Sequence, residues 1–127
     1  MLLPMKAIAG WCVLVLLATN GFAQEEVLDA TDLDAIRAKA GMDAAVEGLV
    51  TDIGTTKDSS ITFINIGMPK KEGFVALVFQ KDYQAFPDGF DMFRNQKVRV
   101  KGMVKLYRSE TPQIILTSPE QIEILEE

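Results

Sequence analysis

From Lys97 to Tyr107, every charged residue falls on one set of alternate positions and the other set is apolar throughout. In an extended strand Lys97, Arg99, Lys101, Met103, Lys105 and Tyr107 share one face, and Val98, Val100, Gly102, Val104 and Leu106 share the other. Four cations ending on an aromatic ring, with Arg108 beyond, form a surface that a phosphodiester or other polyanion can follow. Cations hold the backbone and the ring stacks a base. The stripe equally suits a solvated wall whose charges discourage edge pairing, and a net charge of −5 opposes long-range attraction to polyanions. The solvated wall is the simpler reading, and the stripe is still the best ligand surface the sequence offers.

Other chemistry is narrowly bounded. The chain has no histidine, and its single cysteine, Cys12, sits in an apolar N-terminal run. Zinc, haem and copper centres of the usual kinds and nucleophilic mechanisms built on Cys or His are therefore not expected, and no cofactor is implied. Asp52, Asp58 and Arg99 are the nearest material for a metal-assisted hydrolase, but their spacing matches no motif and no Asp-x-Asp-x-Asp-Gly calcium loop occurs. The chain is expected not to be an enzyme.

These residues must be held by a small domain. Lys6, the apolar run from Ala7 to Ala18, and Gly21-Phe22-Ala23 read as a secretory signal over residues 1–23. The run is shorter than the roughly 20 residues that span a bilayer. The protein is thus expected to be exported, periplasmic or secreted, with no membrane span after cleavage before Gln24. Residues 24–30 are acidic and aperiodic, a flexible lead-in. Residues 31–127 form one domain that must fold by packing alone, without disulfides.

A short helix fits the start of that domain, with Thr31 as N-cap, Leu33, Ile36 and Ala40 on one face, and Gly41 as terminator. From Asp43 the period becomes two. Five strands are expected over Ala44–Thr55, Ser60–Ile66, Gly73–Gln80, Lys97–Tyr107 and Gln113–Thr117, the last resuming at Gln121–Leu125 after Ser118-Pro119. Between the third and fourth, Tyr83, Phe86, Phe90 and Phe93 recur at helix-like spacing cut by Pro87-Asp88-Gly89, and read as a helical plug for one barrel end. The pattern Val-x-Gly-x-Val occurs twice, at Val46–Val50 and Val100–Val104. A glycine inside a β-branched strand marks a sharp bend, as closing a small sheet into a barrel requires. Asn65, alone in an apolar run, is expected to cap the turn before Gly67.

The fold class that follows is mainly β: a five-stranded Greek-key OB barrel with a short N-terminal helix and a helical plug between strands three and four. The runs VEGLVTDI, FINIG, FVALVFQKDYQAF and NQKVRVKGMVKLYRSETPQIILTSPEQIEIL resemble the exported bacterial relatives of tRNA-anticodon-type, nucleic-acid-binding OB domains over Gly41–Leu125. More loosely, the chain resembles small periplasmic OB proteins of the cell envelope, although its one tryptophan, Trp11, lies in the leader.

The resemblance implies a binding platform on the strand-two and strand-three face. Phe63, Phe74 or Phe79 would stack a ligand there, and Lys70 and Lys71 would stand beside Lys97, Arg99, Lys101 and Lys105 as backbone contacts. Both strands are apolar on both faces, so the expectation for the second face is coverage by the Thr31–Gly41 helix. The function expected is a non-catalytic exported module that binds nucleic acid or another oligomer. The alternative is an envelope module that docks a partner protein and has no nucleic-acid role.

Overall fold

The structure is a computed structural model that describes residues 26–68 and 73–126. The leader, Gln24, Glu25, Lys70 and Lys71 lie outside the described residues. Among the described residues seven strands form: β1 (Val27–Asp29), β2 (Asp43–Thr55), β3 (Ile61–Ile66), β4 (Phe74–Phe79), β5 (Lys97–Tyr107), β6 (Thr111–Ile115) and β7 (Ile122–Ile124), with one α-helix, α1 (Leu33–Arg37). Their order is β1-β2-β3-β4-β6-β5-β7, and β2 also pairs with β5. The pairings from β2 through β3, β4, β6 and β5 thus run back to β2, with β4 and β6 parallel and the other four pairings antiparallel.

Both glycine-interrupted strands change partner close to their glycine. β2 pairs with β5 from Asp43 to Leu49 and with β3 from Val50 to Thr55, with a register irregularity between Val50 and Asp52. β5 pairs with β2 from Lys97 to Met103 and with β6 from Val104 to Tyr107. At Gly102 the backbone takes φ +154°, and a Cβ there would stand 2.7 Å from Ile114 Cγ2 and 2.9 Å from Gln121 Nε2. At Gly48 the constraint is close approach: a Cβ would meet Ala30 Cβ at 2.6 Å. Inward rows from all five paired strands then build one core, including Val46, Ile64, Ile66, Phe74, Val78, Val98, Val100, Val104 and Ile114. Burying each such side chain contributes about 1.5–3 kcal/mol.

Three expectations need correction. The lead-in is not aperiodic throughout, because Val27–Asp29 pairs in parallel with Ala45–Glu47 and buries Leu28 and Ala30 in the core. Three residues are too few to show a period, and the small surface at Gly48 gives Ala30 its seat. The helix is capped by Asp32, whose side chain accepts from the Ala35 N–H at 3.3 Å. Thr31 instead donates its N–H and hydroxyl to Asp29 Oδ1 at 2.8 and 2.6 Å. Finally, α1 does not cover the β3–β4 face. It buries Ile36 completely and sits beside β5 and β6, where Arg37 Nε donates to the Glu110 carbonyl at 2.8 Å.

The segment between β4 and β5 holds two 3-10 turns, Gln80–Ala85 and Asp91–Phe93. Phe86 and Phe93 join the core, while Tyr83 and Phe90 pack against it, with Phe86 and Phe90 ring centroids 5.2 Å apart. The closing segment does not continue β6. Pro119 lies within a capping box formed by Ser118 and Gln121, and after this turn Ile122–Ile124 pairs with β5 along Val98–Val100.

The β5–β6 connection carries local strain. Arg108 and Ser109 both have positive φ, 56° and 64°, as the two central residues of a tight turn that the Glu110 N–H closes on the Tyr107 carbonyl at 3.1 Å, a geometry that favours Asn-Gly. Left-handed backbone costs a non-glycine residue roughly 1–2 kcal/mol. Replacing the pair together, Arg108→Asn with Ser109→Gly, is expected to stabilise the protein by about 1–2 kcal/mol in chemical denaturation. No change would mean the turn is relaxed in solution.

Candidate functional site

Strand parity decides what the second face presents. On β3 the inward positions are Thr62, Ile64 and Ile66, which leaves Ile61, Phe63 and Asn65 outward. On β4, Phe74, Ala76 and Val78 point in, and Val75, Leu77 and Phe79 point out. The cross-strand register pairs Ile61 with Phe79, Phe63 with Leu77 and Asn65 with Val75. The rows continue on both sides: Gly54 lies beside Phe63 and Asp52 beside Asn65 on β2, while Ile115 lies beside Leu77 and Gln113 beside Val75 on β6.

These residues line an open groove of about 1020 Å³, together with Thr55, Thr56, Lys57, Tyr107 and Thr111. Its floor is apolar. Val75 and Leu77 are buried yet stand apart from the main core, forming a second apolar layer on the outer side of the sheet. Nothing lies within 4 Å of where a Gly54 Cβ would be, so the floor is open opposite Phe63.

The groove lies between two polar turns. At one, Asp58 Oδ1 accepts from Thr56 Oγ1 at 2.8 Å and from the Ser60 N–H at 3.0 Å. Hydrogen bonds from Ser60 and then Thr56 hold its carboxyl below the ordinary value. Nearby, Tyr83 donates its hydroxyl to the Ser59 carbonyl at 3.0 Å and accepts from Thr62 Oγ1 at 2.9 Å. At the other turn the Arg108 guanidinium lies 5.2 Å from the centroid of the exposed Tyr107 ring. On the β2 rim Asp52 faces Arg94 at 3.9 Å.

The site residues expected from sequence separate into four groups. Phe63 and Tyr107 line the groove, and Lys105 stands next to Gln113 on its border. Lys97, Arg99 and Lys101 lie on the other side of the Gly102 bend, opposite Leu49, Glu47 and Ala45. Phe74 is fully buried in the core, so it offers no stacking face, and its place in the ligand surface is corrected. Lys70 and Lys71 are outside the described residues.

The stripe itself is interleaved with acids. Arg99 pairs with Glu47 directly across β2, through a 2.7 Å bond from Nε to Oε2 and a second contact from Nη2, and reaches Glu123 on β7 at 3.9 Å. Asp29 has its carboxyl lowered mainly by bonds from Thr31, with Lys97 contributing through charge. A polyanion would have to displace these acids from Arg99, which lowers what the stripe can contribute.

Asn65 is a further correction. It is 6% exposed, and its carboxamide oxygen has no hydrogen-bond partner among the described residues, so it caps no turn. It lines the groove between Asp52 and Val75. Sequence reasoning passed over it, together with Leu77, Ile115 and Gln113. The usable signal was Asn65 itself, since the lone polar residue in FINIG marks which phase of β3 faces outward. Among the described residues no cluster of three or more metal-ligating side chains occurs, and no helix is long and apolar enough to cross a membrane.

No protein-family model matches the chain, and no curated protein sequence is significantly similar to it. Solved structures do match. An OBody, AM2EP06, bound to hen egg-white lysozyme aligns with TM-score 0.51 and 16% identity over 76% of this chain and 92% of its own. A chain of the S. pombe Stn1-ten1 complex aligns with TM-score 0.50 and 17% identity over 67% of this chain and 59% of its own. The aspartyl tRNA synthetase from Entamoeba histolytica aligns with TM-score 0.51 and 15% identity over 97% of this chain, which spans only 24% of the synthetase. At such identities the likeness concerns the fold alone, and the chain is a mainly β protein with an OB-type fold.

Proposed function

We propose that the protein is a non-catalytic, exported OB-type module, a five-stranded Greek-key barrel closed by its aromatic insert, that docks an apolar segment of a partner protein on its β3–β4 face. The observation that carries this reading is the open groove floored by Phe63, Val75, Leu77, Phe79 and Ile115, on the face that OB domains generally use for ligands. Uncovered apolar surface of this kind on a small domain marks an interaction site. The lysozyme-bound OBody is a protein of the same fold engaged with a protein partner. Export rests on the leader-like run in residues 7–18, and N-terminal sequencing of the mature protein should begin at Gln24.

Nucleic acid is the second reading, favoured by one observation, the exposed Tyr107 with Arg108 over its ring. Among the described residues it lacks a continuous cationic track, because Lys97, Arg99 and Lys101 stand on a different part of the barrel among Asp29, Glu47 and Glu123. A fluorescent 20-nucleotide single strand titrated at rising salt separates the two. The expected result is no saturable binding at low salt. Binding that falls steeply with salt and is lost when Lys97, Arg99 and Lys101 are all changed to serine would overturn the protein-docking reading.

A further inference from the structure

The groove is apolar except where Asn65 enters it, and that exception carries information about the ligand. Leaving a buried carboxamide oxygen unpaired costs free energy, which native proteins seldom accept without a use for the group. The Asn65 oxygen is buried and unpartnered among the described residues, on the row that runs from Asp52 through Val75 to Gln113. Neither atom of its amide makes a side-chain hydrogen bond there, whereas the neighbouring Thr51 hydroxyl is occupied by the Asn65 and Met68 carbonyls at 3.3 and 3.1 Å. A carboxamide presents one acceptor and one N–H donor side by side. Its uncharged complement in an extended main chain is a single residue, whose own N–H and C=O point to the same side.

We infer that Asn65 is the specificity-determining residue of the groove, and that it pairs with the main-chain N–H and C=O of one residue in an extended, apolar peptide segment whose side chains lie on Phe63, Val75, Leu77 and Ile115. This rests on the docking reading above and adds the chemistry of what is docked. Charge supports a neutral occupant: Asp52, the acid on the rim beside Asn65, already faces Arg94. Rotation about the terminal torsion of asparagine is soft, so a segment seated over Val75 brings the oxygen into use while its side chains cover the floor. Apolar contact supplies affinity and a single amide pair fixes register, the usual division of labour in such sites.

Titration of the 15N-labelled protein with N-acetyl-phenylalanine N-methylamide, and with the depsipeptide analogue in which ester oxygens replace both N–H groups, tests this by chemical-shift perturbation. The amide probe is expected to shift Asn65, Leu77 and Gln113, and to bind about tenfold tighter than the ester, as one lost hydrogen bond predicts. Asn65→Leu should bring the two affinities together, and the wild-type ratio stands as a test without any variant. Equal affinity of amide and ester at the groove overturns the role of Asn65 while leaving the groove as a docking surface. If neither probe shifts groove residues, both conclusions fall. A 12-nucleotide oligothymidine that shifts the groove residues more tightly than the amide overturns both in favour of nucleic acid.

Discussion

Changing Phe74 to alanine is expected to cost about 3–5 kcal/mol of unfolding free energy, the range for deleting a buried aromatic side chain. Phe74 is fully buried, opposite Ile66 on β3, and belongs to the single core that the paired strands enclose. Losses of that size approach the whole stability of a small domain, about 5–15 kcal/mol, so urea unfolding should show a large drop in midpoint. Phe63, half-buried on the outer face with Gly54 beside it, provides the contrast. Its alanine variant is expected to lose no more than about 1–2 kcal/mol, since less area is removed from contact. A larger loss at Phe63 than at Phe74 would mean that the face assignment is inverted.

Gly102 gives the second large effect. An alanine there meets two penalties at once: φ of +154°, which L residues rarely adopt, and contacts of 2.7 Å to Ile114 Cγ2 and 2.9 Å to Gln121 Nε2. Strained backbone costs about 1–3 kcal/mol and overpacking about 1–3, for an expected loss of about 2–6 kcal/mol. Gln121 has little room to yield, because its amide nitrogen donates to the Lys101 and Ile115 carbonyls at 3.0 and 3.1 Å. Gly54→Ala is the control: nothing lies within 4 Å of its Cβ position, and the change should stay within about 0.5 kcal/mol. A Gly102→Ala protein as stable as wild type would show that β5 does not need this bend.

Much of this architecture can be read from residue order. The alternation from Lys97 to Tyr107 gives β5 both ends without error, because one face is charged and the other β-branched. The two Val-x-Gly-x-Val runs mark where β2 and β5 change partner, since a single glycine in such a run has few other uses. Parity in β3 and β4 was harder, because apolar residues on both faces remove the contrast that period two relies on. Phe74 and Phe79 are an odd number of residues apart and so cannot share a face, a constraint that, with Asn65 as the outward marker, selects Phe79 for the groove. Coverage by α1 was not legible at all. It depends on where Ile36 finds an opening, and that opening lies beside β5 and β6, not over β3 and β4.

The cation stripe shows how a pattern on one strand misleads when its neighbours are unknown. Lys97, Arg99, Lys101, Lys105 and Tyr107 share a face in sequence, but the bend at Gly102 divides them between two sheet regions. Opposite Arg99 stand Glu47 on one side and Glu123 on the other. Neither acid could be placed there before the register of β2 and β7 was known.

Docking requires the outer face of β3 and β4 to be open in the whole chain, and methyl relaxation with a soluble nitroxide measures this directly. Openness predicts strong enhancement at the Ile61 and Ile115 methyls, and little at Ile64 and Ile114, their inward neighbours on the same strands. If Ile61 and Ile115 are as protected as Ile64 and Ile114, another part of the chain covers the groove and the docking surface described here does not exist.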